Sequence, residues 1–335
     1  MIRILLFVLF AGLSTLMQAQ EPLIPRELLF QAKEKTGIQL AKSGQQVFYQ
    51  KSEGDPHTIY FVGMPNLRKE QSVRFDTPVL DWVCTYNDGL LVILENGGSQ
   101  KMAFWSNKTE ETRDVPLLDS AVYQIVDMSP RLKNKIAIKG RSLKDEQSGI
   151  YLIDLYGKSV TKKILEEEGF SGIRFDYMFN PVAAWRRNEQ SGNSIFLRKG
   201  HDWTPIAEFP FDESQFLGGF QQVVSVTGDG TAIYYTDNQD RDKTVLIKYD
   251  IASGSKAVVA EDDQADILPF GAIINKKGVP GLVLGVFAKA KRYYPDPSFE
   301  KDFNWIDKEL MGQASLAASS ANDSTWLVRK LDGGP

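Results

Sequence analysis

A short turn-like segment recurs along this chain at nearly constant spacing. Its copies are Lys42-Ser43-Gly44, Asn87-Asp88-Gly89, Lys133-Asn134, Phe179-Asn180-Pro181, Gly228-Asp229-Gly230, Lys276-Lys277-Gly278 and Ala321-Asn322-Asp323. From Gly44 through Gly89, Asn134, Asn180, Gly230, Gly278 and Asn322 the steps are 45, 45, 46, 50, 48 and 44 residues. Most copies precede a run rich in β-branched, aromatic or leucine residues, as in Leu90-Leu91-Val92-Ile93-Leu94. A unit this short cannot bury its apolar face alone, so repeated units must stack on one another. A period of about 40–50 residues made of short strands predicts a β-propeller with one blade per period.

A second series keeps step with the first. Ser106, Asp154, Gly200 and Asp250 open polar turns separated by 48, 46 and 50 residues. Between the two series lie β-prone runs joined by turn residues, such as Ala232-Ile233-Tyr234-Tyr235 and Val245-Leu246-Ile247-Lys248-Tyr249. Two turn series in register predict hairpins within a four-stranded blade. The expectation is an all-β, seven-bladed propeller spanning residues 20–335, with its last blade incomplete. After Ala321-Asn322-Asp323 one strand is expected, Thr325–Arg329, before the Gly333-Gly334-Pro335 turn. A blade cut there leaves an open edge, so the natural chain is expected to continue, or this one to be a truncated product. One period departs from the pattern: Phe299, Phe303, Ile306 and Leu310 are spaced 4, 3 and 4 apart. That spacing predicts an amphipathic helix near 298–311, capped by Ser298 and packed on the rim.

The bulk composition limits the partners. Hydrophobic residues make up 42% and charged residues 24% of the 335, with a net charge of −4. That is ordinary globular composition and gives no basis for capture of nucleic acid. Arg3 followed by the apolar run Ile4–Leu16 reads as a signal peptide over residues 1–19. The run is shorter than the roughly 20 residues that span a bilayer, so no membrane anchor is expected after cleavage. The mature chain is expected to be secreted, periplasmic or on the cell surface. Cys84 is the one cysteine, and it reads as a buried structural thiol.

Side chains that could carry chemistry are few. The two histidines, His57 and His201, sit in turns without a recognisable nucleophile or orienting partner, and exposed positions are expected for both. Asp237–Asp242 has the acidity of a calcium loop, but Asp242 and Lys248 stand where an EF-hand needs Gly and Glu. Glu261-Asp262-Asp263 with Asp266, and Glu166-Glu167-Glu168, read as solvated acidic turns. Gly218-Gly219 lacks the Lys-Ser/Thr of a phosphate loop. No metal and no cofactor are expected. The basic-aromatic stretch Lys291, Arg292, Tyr293 and Tyr294 has the composition of an interface, and is either a docking surface or an ordinary strand end.

Residues Pro22-Leu23-Ile24-Pro25-Arg26-Glu27-Leu28-Leu29-Phe30, followed by the worn turn Ala41-Lys42-Ser43-Gly44-Gln45, resemble the start of secreted bacterial S9-family peptidases, the prolyl oligopeptidase and acylaminoacyl peptidase relatives. Thr227–Thr231, Asp237–Asp242, Tyr249–Gly254 and the helix after Tyr294 are similar to the same family. The resemblance implies a propeller that limits access to a Ser-Asp-His site in an α/β-hydrolase domain, its partner in cis, with short peptides as substrates. These residues contain no Gly-x-Ser-x-Gly elbow, so no catalytic residue carries over and the chain alone is expected to be inactive. Glu166-Glu167-Glu168 is not read as the amine-binding glutamate pair of the dipeptidyl peptidase branch. The alternative is a non-enzymatic periplasmic propeller whose rim and funnel bind a partner.

Overall fold

The structure is a computed structural model that describes residues 34–64, 69–157, 162–166, 169–211, 221–287, 289–310 and 313–331. The expected signal peptide, the 22–30 segment, Glu167-Glu168, Gly218-Gly219 and the final turn lie outside them. Strands and turns alternate as the two turn series require. The first unit is β1 (Lys35–Leu40), β2 (Gln46–Lys51), β3 (Thr58–Gly63) and β4 (Glu70–Arg74), paired antiparallel in chain order. The second holds β5 (Val79–Cys84), β6 (Leu90–Asn96), β7 (Ser99–Ser106) and β8 (Glu111–Asp114). The third holds β9 (Ala121–Met128), β10 (Lys135–Ser142), β11 (Ser148–Asp154) and β12 (Lys162–Glu166). A single bridge from Gln100 to Ala121 joins these two into one eight-stranded sheet.

Two more four-stranded sheets follow. One is β13 (Gly172–Phe175), β14 (Pro181–Arg187), β15 (Asn193–Lys199) and β16 (Asp202–Phe209). The other is β17 (Val223–Val226), β18 (Ala232–Asp237), β19 (Val245–Asp250) and β20 (Lys256–Ala260). Then come a three-stranded sheet, β21 (Asp266–Ile274), β22 (Pro280–Phe287) and β23 (Lys289–Tyr293), the helix α1 (Pro297–Leu310), and a pair, β24 (Gln313–Ser319) and β25 (Trp326–Leu331). Every copy of the recurring turn joins the first strand of a unit to the second. The second turn series joins third strands to fourth, with Asp154 Oδ1 accepting the Tyr156 and Gly157 N–H groups and Asp250 Oδ1 accepting that of Ser253.

The apolar runs are continuous rather than alternating because the sheets stack face to face. In β6, Leu90, Val92 and Leu94 pack with Phe48, Ile59 and Phe61 of the first unit, whereas Leu91 and Ile93 pack with Ile136 and Ile138 of the third. The same division recurs in β18, where Ile233 and Tyr235 join one cluster and Tyr234 the next. A strand buried on both faces needs no polar face, and each such Leu, Ile or Phe contributes about 1.5–3 kcal/mol.

The last unit has the strand expected after its turn, β25, and a second strand, β24, before it. One expectation at the chain's end is corrected. Asp296, not Ser298, caps α1: its Oδ1 accepts the Ser298 N–H at 3.1 Å and the Ser298 hydroxyl at 2.8 Å. Pro297 then takes the first helical position, where a missing N–H costs nothing. Phe299 and Phe303 dock on Leu282 and Trp326, and place the helix between the three-stranded sheet and the last strand pair.

Candidate functional site: the axial channel

The recurring turns meet one another in space. The Ser43 N–H donates to Asp88 Oδ1 at 2.9 Å, and Asn87 Nδ2 donates to the Lys133 carbonyl at 3.1 Å. Ser129 Oγ donates to the Tyr177 carbonyl, whose own N–H donates to the Gly228 carbonyl at 3.0 Å. The Gly228 N–H in turn donates to the Lys277 carbonyl at 2.9 Å. The Ala321 N–H joins the last turn to the first by donating to the Lys42 carbonyl at 2.7 Å, where β24 lies against β1. These bonds use backbone groups and short polar side chains, so the turn keeps its place while its sequence drifts. Gly278 shows the remaining constraint: its φ is +81° and an added Cβ would sit 2.2 Å from the Val226 carbonyl oxygen. Only glycine satisfies both the left-handed conformation and that approach.

The turns and the ends of the first strands enclose a cavity of about 400 Å³. Its wall takes Lys42 from the first turn, Tyr86 from the second, Asp127 from β9, Arg174 from β13, Tyr177 from the fourth turn and Asp323 from the last. The Lys42 ammonium lies 5.4 Å from the centre of the Tyr86 ring, and the Arg174 guanidinium 4.9 Å from that of Trp185. Asp127 Oδ1 accepts the Met128 N–H at 2.7 Å. Among the described residues neither Asp127, Arg174, Lys42 nor Asp323 forms an ion pair. Burial pushes the Asp127 carboxyl up to about 6, against the Met128 N–H and the Arg174 charge that hold it down. Burial lowers the Lys42 ammonium and lifts the Tyr86 phenol to about 12. Such unneutralised groups of both signs inside one concavity make it the candidate binding site.

Lys42 and Asp323 belong to copies of the recurring turn, but neither stands out there as a site residue, and Asp127 and Arg174 belong to no motif. Asp127 and Arg174 close first strands, and the turn spacing alone could have singled out those positions as axial. The basic-aromatic stretch lies elsewhere, on and just after β23, the last strand of the three-stranded sheet. Arg292 donates to Asp307 of α1 at 2.6 Å, bonds the Ala314 carbonyl and sits 4.6 Å from the centre of the Phe303 ring. Tyr293 OH donates to Asp262 at 2.8 Å, and Lys291 pairs with the same carboxylate, which these partners hold far below the usual carboxylate range. The Tyr294 ring lies tilted against Phe303, their centres 6.4 Å apart. The stretch thus ties the acidic turn, α1 and β24 together.

His57 is half-buried, not exposed, because its loop folds back onto Asp55, whose Oδ1 accepts the His57 N–H at 3.0 Å. His201 is exposed. Glu166 pairs with Lys163 at 2.6 Å. Asp237 caps its own hairpin turn by accepting the Gln239 N–H, and Asp266 accepts that of Thr244. Cys84 is buried, and burial pushes its thiol to about 12.

Stacked antiparallel sheets around an axial cavity define a β-propeller. No protein-family model matches the chain. In sequence it is similar to dipeptidyl aminopeptidase BIII of Pseudoxanthomonas mexicana, with 24% identity over 319 residues. Those residues are 91% of this chain and 45% of that enzyme, so the chain spans less than half of this relative's length. In structure it is similar to a prolyl endopeptidase, with TM-score 0.53 and 11% identity over 77% of this chain and 40% of that one. It is also similar to a puromycin-hydrolyzing peptidase of Mycobacterium tuberculosis, with TM-score 0.52 and 9% identity over 78% and 45% of the two chains. The chain is thus similar, in sequence and in fold, to the propeller part of S9-family peptidases.

Proposed function

We propose that this chain is the access-limiting propeller of an S9-type serine peptidase that acts on short peptides. The Ser, Asp and His would stand in an α/β-hydrolase domain outside these 335 residues. The observation that carries the proposal is the uneven coverage: nearly all of this chain matches less than half of dipeptidyl aminopeptidase BIII. The 335 residues also hold no Gly-x-Ser-x-Gly elbow. The axial cavity of about 400 Å³ is of a size for a short peptide segment and far too small for a folded domain. We further propose that residues 1–19 direct export and are removed. Their single basic residue and apolar run support this.

One preparation tests both parts. The 335-residue chain is expressed in a bacterium, recovered from the periplasm, sequenced from its N-terminus and assayed with chromogenic dipeptidyl and prolyl substrates. A mature N-terminus at Gln20 and no hydrolysis are expected. Hydrolysis blocked by a serine-directed reagent would sink the division of labour, and a cytoplasmic product with an intact leader would sink the export proposal. The codons after Pro335 supply the remaining check. A Gly-x-Ser-x-Gly elbow with later Asp and His should follow within roughly 250 residues.

A further inference from the structure

The axial cavity holds charges of both signs that its own wall does not neutralise. Lys42 comes from the first unit, Asp127 from the third, Arg174 from the fourth and Asp323 from the last. Asp127 and Arg174 feel one another electrostatically but form no ion pair. The two cations rest on aromatic faces instead, Lys42 on Tyr86 and Arg174 on Trp185. Asp127 Oδ1 accepts a single neighbouring N–H, and the Asp323 carboxylate has no hydrogen-bond partner among the described residues. Holding charged groups partly out of water without partners costs free energy that a stability-driven sequence would shed.

A ligand with one charge would leave half of this wall unanswered. An anion alone would satisfy Lys42 and Arg174 but face the Asp127 carboxylate. A cation alone would do the reverse. We propose that the axial cavity binds a small zwitterion, a free amino acid or short peptide with both ends unblocked, its ammonium on Asp127 and its carboxylate on Arg174 and Lys42. The volume of about 400 Å³ lies within the range of small-molecule sites. The Tyr86 and Tyr177 side chains supply flanking rings and hydroxyls. The site rests on the channel's own charges and stands whether or not the peptidase reading holds.

The test uses calorimetric titration of the purified 335-residue chain with three probes: Ala-Ala, N-acetyl-Ala-Ala and Ala-Ala-amide. Ala-Ala should bind saturably, and each blocked analogue about tenfold more weakly, as expected for loss of one charge-assisted contact. Asp127→Asn should weaken Ala-Ala by a similar factor and leave N-acetyl-Ala-Ala unchanged. Arg174→Gln should weaken Ala-Ala and leave the amide unchanged. Because Arg174 packs on Trp185, Lys42→Gln provides the same readout if the arginine variant does not fold. Equal binding of the three probes, or no saturable binding of Ala-Ala up to about 10 mM to a folded protein, overturns the proposal.

Discussion

Asp127 shows how a single residue records the fold around it. On β9 it is one polar side chain at a strand end, and nothing adjacent in sequence marks it. In the ring it faces a shared cavity, and burial lifts its carboxyl from 3.8 to about 6 despite Arg174 nearby. A carboxyl with a raised folded-state pKa favours the protonated form. Its contribution is therefore fully present below about pH 4 and is lost as pH rises through about 6. Above that pH the folded protein carries a partly buried charge at a cost of about 1–2 kcal/mol, after allowance for water reaching the cavity. Asp127→Asn fixes the neutral form. It should melt with the wild type at pH 4 and about 1–3 °C above it at pH 8, at roughly 1.5 °C for each kcal/mol in a chain of this size. A variant less stable than the wild type at pH 8 would refute the assigned cost.

At the scale of elements, what the sequence revealed and what it concealed have separate physical origins. The double turn series located the hairpins because turn chemistry is local: a left-handed φ or an Asx bond is satisfied within a few residues. The spacing of Phe299, Phe303 and Ile306 located α1 for the same reason. The strand β24 was missed because Gln-Ala-Ser-Leu-Ala-Ala-Ser carries no β-branched or aromatic residue; its pairing partner and the helix against it supply the order. The cap was displaced because Asp296 precedes a proline that can open a helix. Helix α1 in turn holds the last strand pair. Phe303 is fully buried, its ring centre 5.7 Å from that of Trp326 and 4.6 Å from the Arg292 guanidinium. Phe303→Ala should cost about 3–5 kcal/mol. It should also raise hydrogen exchange in β24 and β25 before β1–β8, and a uniform rise across all sheets would contradict the local role given to α1.

For the whole molecule, the axial site was illegible because its parts are scattered across units and only ring closure assembles them. Each unit fixes where its own first strand ends. None fixes which charges lie opposite until the last unit meets the first. That seam is narrow. Ala321 N–H bonds the Lys42 carbonyl, and Gly44, at φ +77°, lies so close that an added Cβ would stand 2.7 Å from Thr325 Oγ1. Gly44→Val therefore strains the backbone, by about 1–2 kcal/mol for a left-handed residue with a Cβ, and wedges the seam as well. Opening the seam moves Lys42 away from Asp323, while the hairpins of the middle sheets keep their own pairing. The expected result is faster exchange at Ala321 and through β1 and β24, a lower melting temperature, and unchanged protection in β14–β19. If the variant loses protection everywhere at once, the ring is one cooperative unit. If it loses none, the contact between first and last units does not hold the ring closed.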